Sequence, residues 1–234
     1  WSMPGIAMLV SAFTPSNDPT HLRDAHRSLQ QQTFAAWEWV ILRNGPTRFD
    51  VPPEIVADPR VVVLDAADTG NSDVGALKLA ACTACVGDVF VELDHDDMLL
   101  PLCLERIVEG VTKVGPIAFL YSDAAIFTPQ GGTFGYDAKY GWTHYDLHIG
   151  NGRKFTVTAA FDVTPRSLCE VYYAPDHVRA WTRRAYWAAG GHDERLSVAD
   201  DHDLMCRTYL KGIPFVHVGG CHYLYRWSKT NTVH

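Results

Sequence analysis

The sequence lacks the features that mark nucleic-acid-binding and membrane-spanning proteins. Its 234 residues carry a formal net charge of −7, whereas general nucleic-acid binders normally present an excess of basic residues. No apolar stretch approaches the roughly 18 residues that indicate a membrane span, and no internal repeat or low-complexity linker interrupts the chain. We therefore expect a single domain over residues 1–234, with no nucleic-acid partner and no membrane span in this chain.

The cysteines are few and scattered, and they form no clear metal-binding pattern. Six occur in apolar or small-residue contexts. Cys82 and Cys85 form a CxxC in the apparently helical run 76–86, but no second CxxC follows. We expect buried, reduced thiols, with a metal or redox role as the alternative. Reduced thiols fit a cytoplasmic location.

The first half of the chain alternates strand and helix patterns. This alternation predicts an α/β fold built around a largely parallel sheet. Strands are predicted at 6–13, 37–42, 61–64, 88–93 and 117–121, and helices from 18–20, over 74–86 and from Pro101.

The second half follows a different pattern. Residues 128–156 are rich in Gly, Tyr and Trp without a clean period, which predicts an irregular or hairpin segment. Helices are predicted over 176–189 and from near Asp200 to just before Gly212, and a last strand over 213–218. We place a functional boundary near residue 125, but no separate fold.

The sharpest feature is the run Asp94-His95-Asp96-Asp97 after a predicted buried strand. Three neighbouring carboxylates repel one another unless a cation or hydrogen-bond donors compensate. Hard oxygen ligands at a strand end suit Mg²⁺ or Mn²⁺ bridging to phosphate. The alternative is an acidic turn in which Asp96 or Asp97 caps the next helix. His95 would point away from the carboxylates, so we interpret it as structural.

A second acidic run, Asp200-Asp201-His202-Asp203, stands at a predicted helix start. Negative charge there stabilises the helix N-terminus. A carboxylate held near the first acidic run is also suited to take a proton from an attacking hydroxyl as a general base.

The ordered set of motifs resembles the family 2 glycosyltransferases over essentially the whole chain. Any one of these motifs would be weak evidence, whereas the complete set in the correct order is strong. The motifs are Val10-Ser11-Ala12-Phe13-Thr14-Pro15, Leu29-Gln30-Gln31-Gln32-Thr33, Trp39-Val40-Ile41-Leu42-Arg43-Asn44-Gly45, Gly75-Ala76-Leu77-Lys78-Leu79-Ala80, 87–97, 190–196, 200–204, and Tyr225-Arg226-Trp227 with Asn231-Thr232.

The resemblance implies a GT-A fold, a Rossmann-like nucleotide-binding α/β/α sandwich with a mostly parallel mixed sheet. Residues 1–125 would form the nucleotide-sugar-binding half and 126–234 the acceptor-binding half. The implied reaction is a metal-dependent, inverting transfer from a nucleoside-diphosphate sugar, with UDP-sugars favoured, to a hydroxyl of a glycan or glycoconjugate. Mn²⁺ or Mg²⁺ would be the cofactor.

The resemblance also assigns residues on the donor side. Thr14 and Pro15 match the loop that contacts the base. Asn44 takes the place of an acidic residue that reads the base in many members, which leaves the identity of the base open. Lys78 matches a basic position near the diphosphate.

The same resemblance assigns roles to four carboxylates. Asp94 matches the residue that contacts the ribose or the metal, and Asp96 matches the main metal ligand. Asp201 matches the catalytic base. Asp200 replaces a frequent Glu, so that it either caps its helix or holds a neighbouring group.

Three further residues have two interpretations each. Arg226 either reaches the diphosphate or forms a surface ion pair, and His222 is either another metal ligand or a buried structural histidine. Asp123 is a candidate contact to the donor sugar. An aromatic group is either an acceptor-binding wall or core filler; it consists of Tyr136, Tyr140, Trp142, His144 and Tyr145.

Two other functions are weaker alternatives. A nucleotidyltransferase would normally show a basic Gly-rich loop after the first strand, and this chain has none there. A non-catalytic carbohydrate-binding domain would keep the aromatic residues but would need neither acidic pair. Because the sequence stops at His234, directly after the closing motif, we also expect the chain to be part of a longer protein.

Overall fold

The computed structural model describes residues 8–45, 48–66, 73–150, 152–171 and 173–228. Positions 6 and 7 of the predicted first strand lie outside the described residues. So do Asn231 and Thr232 of the closing motif.

The described residues form strands and helices in alternation, followed by a strand-rich second half. The strands are β1 (Val10–Ser16), β2 (Trp37–Arg43), β3 (Val61–Asp65), β4 (Val89–Glu92), β5 (Met98–Leu99), β6 (Phe119–Phe127), β7 (Thr133–Phe134), β8 (Thr143–Ile149), β9 (Arg153–Ala159), β10 (Arg179–Thr182) and β11 (Phe215–Arg226). The helices are α1 (Leu22–Gln30), α2 (Pro53–Val56), α3 (Val74–Ala84), α4 (Cys103–Val114), α5 (Pro165–Glu170), α6 (Arg183–Ala188) and α7 (Asp200–Leu210), and Ala138–Tyr140 forms a 3-10 helix.

A single mixed sheet runs through the described part of the chain. Its main path has the order β3-β2-β1-β4-β10-β6-β11-β5. The strands β3, β2, β1 and β4 pair in parallel, β10 pairs antiparallel with β4 and with β6, and β11 is parallel to β6. The predicted α/β fold with a mostly parallel mixed sheet is confirmed.

Helices cover both faces of the sheet. Successive side chains of a strand point to opposite faces, and here both faces carry apolar side chains that need to be buried. Ala12 packs into the core cluster that contains α1 and α4, whereas Phe13 packs into the cluster that contains α3, α6 and α7. The inward face of α1 consists of Leu22, Ala25 and Leu29, which are fully buried. The result is an α/β/α sandwich.

The predicted helix over 176–189 is wrong in its first half. Residues Arg179–Thr182 form β10, a fully buried strand at the centre of the sheet, and only Arg183–Ala188 are helical. Ala180 and Trp181 are buried on opposite faces of the sheet. That alternation requires a strand, although Ala and Arg favour a helix locally.

The predicted hairpin segment is confirmed as β8 and β9, which pair from Thr143 with Ala159 to Ile149 with Arg153. The boundary near residue 125 falls inside β6, which continues to Phe127. The two halves of the chain therefore share one strand and one sheet.

The cysteines are all unpaired, in line with the expected reduced thiols. Four are buried, but Cys169 is exposed and Cys206 is partly exposed, so the expectation of burial is wrong for these two. In the part of the chain that the structure describes, no helix is both long enough and apolar enough to cross a membrane.

Candidate functional site

The candidate site lies at the edge of the sheet where the parallel strands β1, β2 and β4 end. Ser16 and Arg43 are paired at the ends of β1 and β2, and Asp94 follows β4 by two residues. Ligands of open α/β sheets bind outside the carboxyl ends of such strands. The topology therefore brings the predicted base-binding and metal-binding segments to one edge.

Thr14 lies beneath this edge rather than on it. Its fully buried hydroxyl donates to the Leu93 carbonyl at 2.5 Å and accepts from the Trp39 indole N–H at 2.7 Å. The Thr14 hydroxyl therefore joins β1 to its two neighbours, and a contact of the Thr14-Pro15 loop with a base stays a prediction. Pro15 next to it is partly exposed.

Asn44 offers a polar atom at the same edge. Its backbone N–H donates to the Ser16 carbonyl at 2.8 Å, which holds the end of β2 against the end of β1. Its side-chain Oδ1 is buried and has no hydrogen-bond partner among the described residues. An unsatisfied acceptor is suited to receive an N–H from a ligand.

The acidic run after β4 divides into exposed and buried carboxylates. The Asp94 side chain is 37% exposed. Burial, followed by the charge of Asp94, raises the pKa of Asp96. Asp97 is fully buried and accepts the backbone N–H of Arg226 at 2.6 Å. Neither Asp96 nor Asp97 caps the following helix, because the N-cap of α4 is Leu102.

Arg226 fastens this acidic turn to α1. Its Nε donates to the Asp96 carbonyl at 2.7 Å, and its Nη2 donates to Asp24 Oδ2 at 2.9 Å. The predicted ion pair is thus present, but its arginine is only 9% exposed, whereas Asp24 is 37% exposed. A contact to a diphosphate stays a prediction for this residue.

His222 lies in a different environment from the acidic turn. Its Nε2 donates to the Gly219 carbonyl at 2.8 Å, and the titratable side chains around it are Arg106, Asp123 and His217. Burial lowers its pKa. Within the described ranges, no group of three or more His, Cys, Asp or Glu side chains is placed to hold a metal ion. The geometry favours the structural interpretation of His222.

Asp123 is occupied by three donors from the second half of the chain. Its Oδ1 accepts the Ala160 N–H and the His217 Nε2–H, both at 2.8 Å. Its Oδ2 accepts the Tyr145 hydroxyl at 2.8 Å. A contact to the donor sugar stays a prediction and would compete with these bonds.

Lys78 points into the protein instead of toward the open edge. Its ammonium contacts Glu92 and lies 3.2 Å from Asp200 Oδ2. Burial alone would lower the pKa of Lys78, but Glu92 and Asp200 outweigh it and hold the pKa well above its ordinary value. The ammonium is thus buried and neutralised by protein carboxylates, and a place beside a diphosphate stays a prediction for Lys78.

Two charged residues of the site were missed in the sequence. Glu92 is 1% exposed and lies between Lys78 and Arg179, with 3.4 Å from its Oε2 to Arg179 Nη1. Arg179 is 3% exposed and was hidden in the segment mistaken for a helix. Glu92 could have indicated this pairing from the sequence, because a carboxylate in an otherwise apolar strand needs a buried positively charged partner.

Asp201 and Asp200 face different partners at the start of α7. Arg179 contacts Asp201, whose side chain is 22% exposed. Burial raises the pKa of Asp201, but Arg179 and Lys78 bring it below its ordinary value. Asp200 is buried beside Lys78, and burial raises its pKa to about 6. The N-cap of α7 is Ala199, so Asp200 holds a neighbouring group rather than capping the helix.

A short chain of side chains connects the two acidic runs. His177 Nε2 lies 3.6 Å from Asp94 Oδ2, and its Nδ1 is 3.0 Å from Asp176 Oδ1. Asp176 is in turn 3.7 Å from Arg179, which contacts Asp201. The tertiary structure thus brings the predicted metal ligand and the predicted base to one site.

The aromatic group divides: Trp142 belongs to the core, Tyr136 is partly exposed, and Tyr140, His144 and Tyr145 are exposed. Trp142 is 2% exposed and packs on Phe161 with ring centroids 4.4 Å apart, while the Tyr136 hydroxyl donates to Asp176. His144 is exposed, and Tyr140 is 51% exposed beside a cavity of about 460 Å³. The residues that line this cavity are Lys139, Tyr140, Gly141, Phe161, Asp162, Thr164, Arg166, Ser167, Glu170 and Val171.

Solved structures share this architecture. Residues 1–349 of S. aureus TarS match with a TM-score of 0.65 and 16% identity, covering 94% of this chain and 60% of that one. The same TarS segment in complex with UDP-GlcNAc matches with a TM-score of 0.67 and covers 96% of this chain. At this level of identity the likeness concerns the fold.

Two sequence relatives point in the same direction. The O-antigen biosynthesis protein RfbC of Myxococcus xanthus is 25% identical over 209 residues, and the chondroitin synthase of Escherichia coli is 25% identical over 214 residues. The described part of the chain therefore has a fold of the GT-A type. The alignments cover 85% and 90% of this chain, but only 14% and 28% of the length of the two relatives. No family model matches it.

Proposed function

We propose that this domain transfers a sugar from a nucleoside-diphosphate sugar to a hydroxyl of a glycan or glycoconjugate, with inversion at the anomeric carbon. The observation that carries the proposal is the convergence of Asp94 and Asp201 through His177, Asp176 and Arg179. A structural neighbour binds UDP-GlcNAc, and the two relatives are named for polysaccharide synthesis. A UDP-sugar is therefore the favoured donor, and a cytoplasmic location belongs to the same proposal.

The residues at the edge fit a shared metal site rather than an all-protein one. Asp94 and Asp96 present hard oxygens, but Asp97 is buried and His222 faces elsewhere. Mg²⁺ and Mn²⁺ accept one or two carboxylates together with phosphate oxygens and water. When bound there, the metal would offset the charge that builds on the leaving diphosphate.

The residues of the chain supply the remaining chemistry. The Asp94 and Asp96 carboxylates would hold the metal, and Asn44 Oδ1 would accept an N–H from the base. Asp201, ionised because Arg179 and Lys78 lower its pKa, would take the proton from the acceptor hydroxyl as that oxygen attacks the anomeric carbon. The nucleoside diphosphate leaves with the electrons of the broken bond. One base is sufficient for this single displacement.

The cavity beside Tyr140 is the proposed location of the acceptor. Exposed Tyr140 and partly exposed Phe161 offer aromatic faces to a sugar ring, and charged groups of both signs surround them. The cavity borders α5, whose Leu168 backbone contacts His202 next to Asp201. An acceptor bound there would lie against α5, which packs in the same core cluster as α7, the helix that carries the proposed base.

A panel of UDP-, GDP- and dTDP-sugars with and without Mn²⁺ tests the function. We expect hydrolysis or transfer with a UDP-sugar in Mn²⁺, loss of activity in excess EDTA, and an inverted anomeric configuration by NMR. Full activity in EDTA would contradict the metal dependence, and retention of configuration would contradict the single displacement. Binding of glycans without turnover of any donor would favour a non-catalytic carbohydrate-binding domain.

A further inference from the structure

A cluster of buried charges lies between α3 and the centre of the sheet. Lys78 on α3, Glu92 on β4 and Arg179 on β10 are 7%, 1% and 3% exposed. Glu92 takes part in two ion pairs, with Lys78 through Oε1 and with Arg179 through Oε2. The three residues come from three separate elements, and the fold brings them into contact.

Stability alone gives no reason for this cluster. Removing charges from water is costly, and well-packed apolar residues in place of a buried ion pair often leave stability unchanged or improve it. Glu92 lies in a strand whose neighbours Phe90, Val91 and Leu93 are all fully buried and apolar. An apolar side chain at position 92 would continue that pattern without needing partners.

The cluster ends at the proposed base. Arg179 Nη1 faces Glu92 Oε2 and also contacts Asp201 Oδ2, while its Nη2 lies 3.7 Å from Asp176. The buried carboxylates of Glu92 and Asp176 thus hold the Arg179 guanidinium at the sheet. The Asp201 side chain is the most exposed member, at 22%, so the outer end of the cluster opens to the site.

We propose that Arg179, held by Glu92 and Asp176, is a positioning residue that orients the Asp201 carboxylate toward the acceptor hydroxyl. This inference rests on the proposed function. The guanidinium is planar and rigid, and it donates in fixed directions, so it is suited to hold one carboxylate orientation. A lysine ammonium at position 179 would keep the charge but could not serve three carboxylates from fixed directions.

The same contact has a consequence for the pH dependence. Asp201 is faced by Arg179 from β10, Lys78 from α3, Glu92 from β4, and His177 just before β10. Burial raises its pKa, but Arg179 and Lys78 outweigh this effect and lower it. Removing the positive charge of Arg179 would raise that pKa, so activity would be lost at a higher pH as the solution is acidified.

The test compares Arg179→Lys, Arg179→Met and Glu92→Gln with wild type. The control is Arg207→Lys, since Arg207 pairs with Asp203 farther along α7 and does not contact Asp201. We expect Arg179→Lys to lower kcat about 10- to 100-fold, with donor affinity and Tm close to wild type. Glu92→Gln should lower kcat in the same direction, and Arg179→Met should also move the acid limb of kcat/KM to higher pH.

Three results would overturn the inference. The first is wild-type kcat in Arg179→Lys. The second is a loss of donor affinity or Tm that accounts for the loss of rate. The third is failure of all three variants to fold, since the cluster would then serve the fold alone. If wild type itself turns over no nucleotide sugar, the proposed function fails as well, whereas an active wild type with an unaffected Arg179→Lys refutes only the positioning role.

Discussion

At the scale of single residues, Asp201 and Asp203 provide an internal comparison on one helix. Both are carboxylates in the first turn of α7, and each contacts one arginine. Asp201 faces the buried charges of the candidate site through Arg179, whereas Asp203 pairs with Arg207 one turn along the same helix. Only the first fits the proposed role of a base.

We therefore expect Asp201→Asn to lose transfer on the order of 10²–10⁴-fold while keeping donor binding. The amide keeps the shape of the carboxylate but cannot accept the proton. Asp203→Asn is the matched control and should lose only the modest stability of an i,i+4 ion pair, roughly 0.3–0.5 kcal/mol. Initial rates, calorimetry of donor binding and Tm measure the two variants. Near wild-type transfer by Asp201→Asn would remove it as the base.

Asn44 provides a second prediction at this scale. Its buried Oδ1 has no partner among the described residues, so a base N–H would satisfy it. Asn44→Ala should weaken UDP binding by about 1–3 kcal/mol, because it removes the acceptor while leaving the metal ligands in place. Calorimetry with UDP and GDP in Mn²⁺ is the measurement. Tighter binding of GDP than UDP by wild type would reverse the preferred donor.

At the scale of secondary structure, α3 is held in place by a close backbone contact. Gly75, in its first turn, donates its N–H to the Leu196 carbonyl at 2.9 Å. A Cβ at position 75 would lie 2.0 Å from the Asp193 carbonyl oxygen. This contact fixes the helix that carries Lys78 against the loop preceding α7.

Gly75→Ala should therefore destabilise the protein, although alanine is the better helix former by roughly 1 kcal/mol. We expect a net loss of about 1–3 kcal/mol from the clash with backbone, which cannot move aside as a flexible side chain would. Gly150→Ala is the control, because a Cβ there meets nothing within 4 Å. Denaturant unfolding of both variants measures the difference, and equal stabilities would contradict the packing described for α3.

At the scale of the whole molecule, the two halves of the chain depend on each other. Strand β10 from the second half lies between β4 and β6 of the first half, and β11 covers the other side of β6. Without the second half, β4 and β6 would each expose unpaired backbone groups at a new edge. The described strands form one continuous sheet, and the charge cluster spans the same junction.

We expect residues 1–125 alone to be unfolded or aggregated, and residues 1–234 to unfold in a single cooperative transition. Coincidence of circular dichroism and tryptophan fluorescence curves in denaturant tests the second expectation. A soluble fragment 1–125 with native-like circular dichroism would show that the nucleotide-binding half folds independently, contrary to the single domain proposed here.

The sequence by itself determined the fold class, most of the elements and the acidic motifs. The local pattern placed α1, whose buried face recurs every three to four residues, and β2, a short apolar run that is buried on both faces of the sheet. The acidic runs at 94–97 and 200–203 were visible because carboxylates cluster in sequence. The order of the motifs along the chain carried the resemblance to glycosyltransferases, and the GT-A type of the fold is confirmed.

Only the tertiary structure decided which groups these motifs meet. The local pattern predicts a helix around Arg179, because its neighbours favour helices. In the structure this segment is the strand β10, whose side chains are buried on both faces of the sheet. The resemblance places Lys78 and Thr14 near a ligand, and a diphosphate contact is one of two interpretations of Arg226. In the structure, each side chain is engaged by protein groups distant in sequence. Pairing between distant residues depends on strand order and side-chain direction, which a local pattern does not contain.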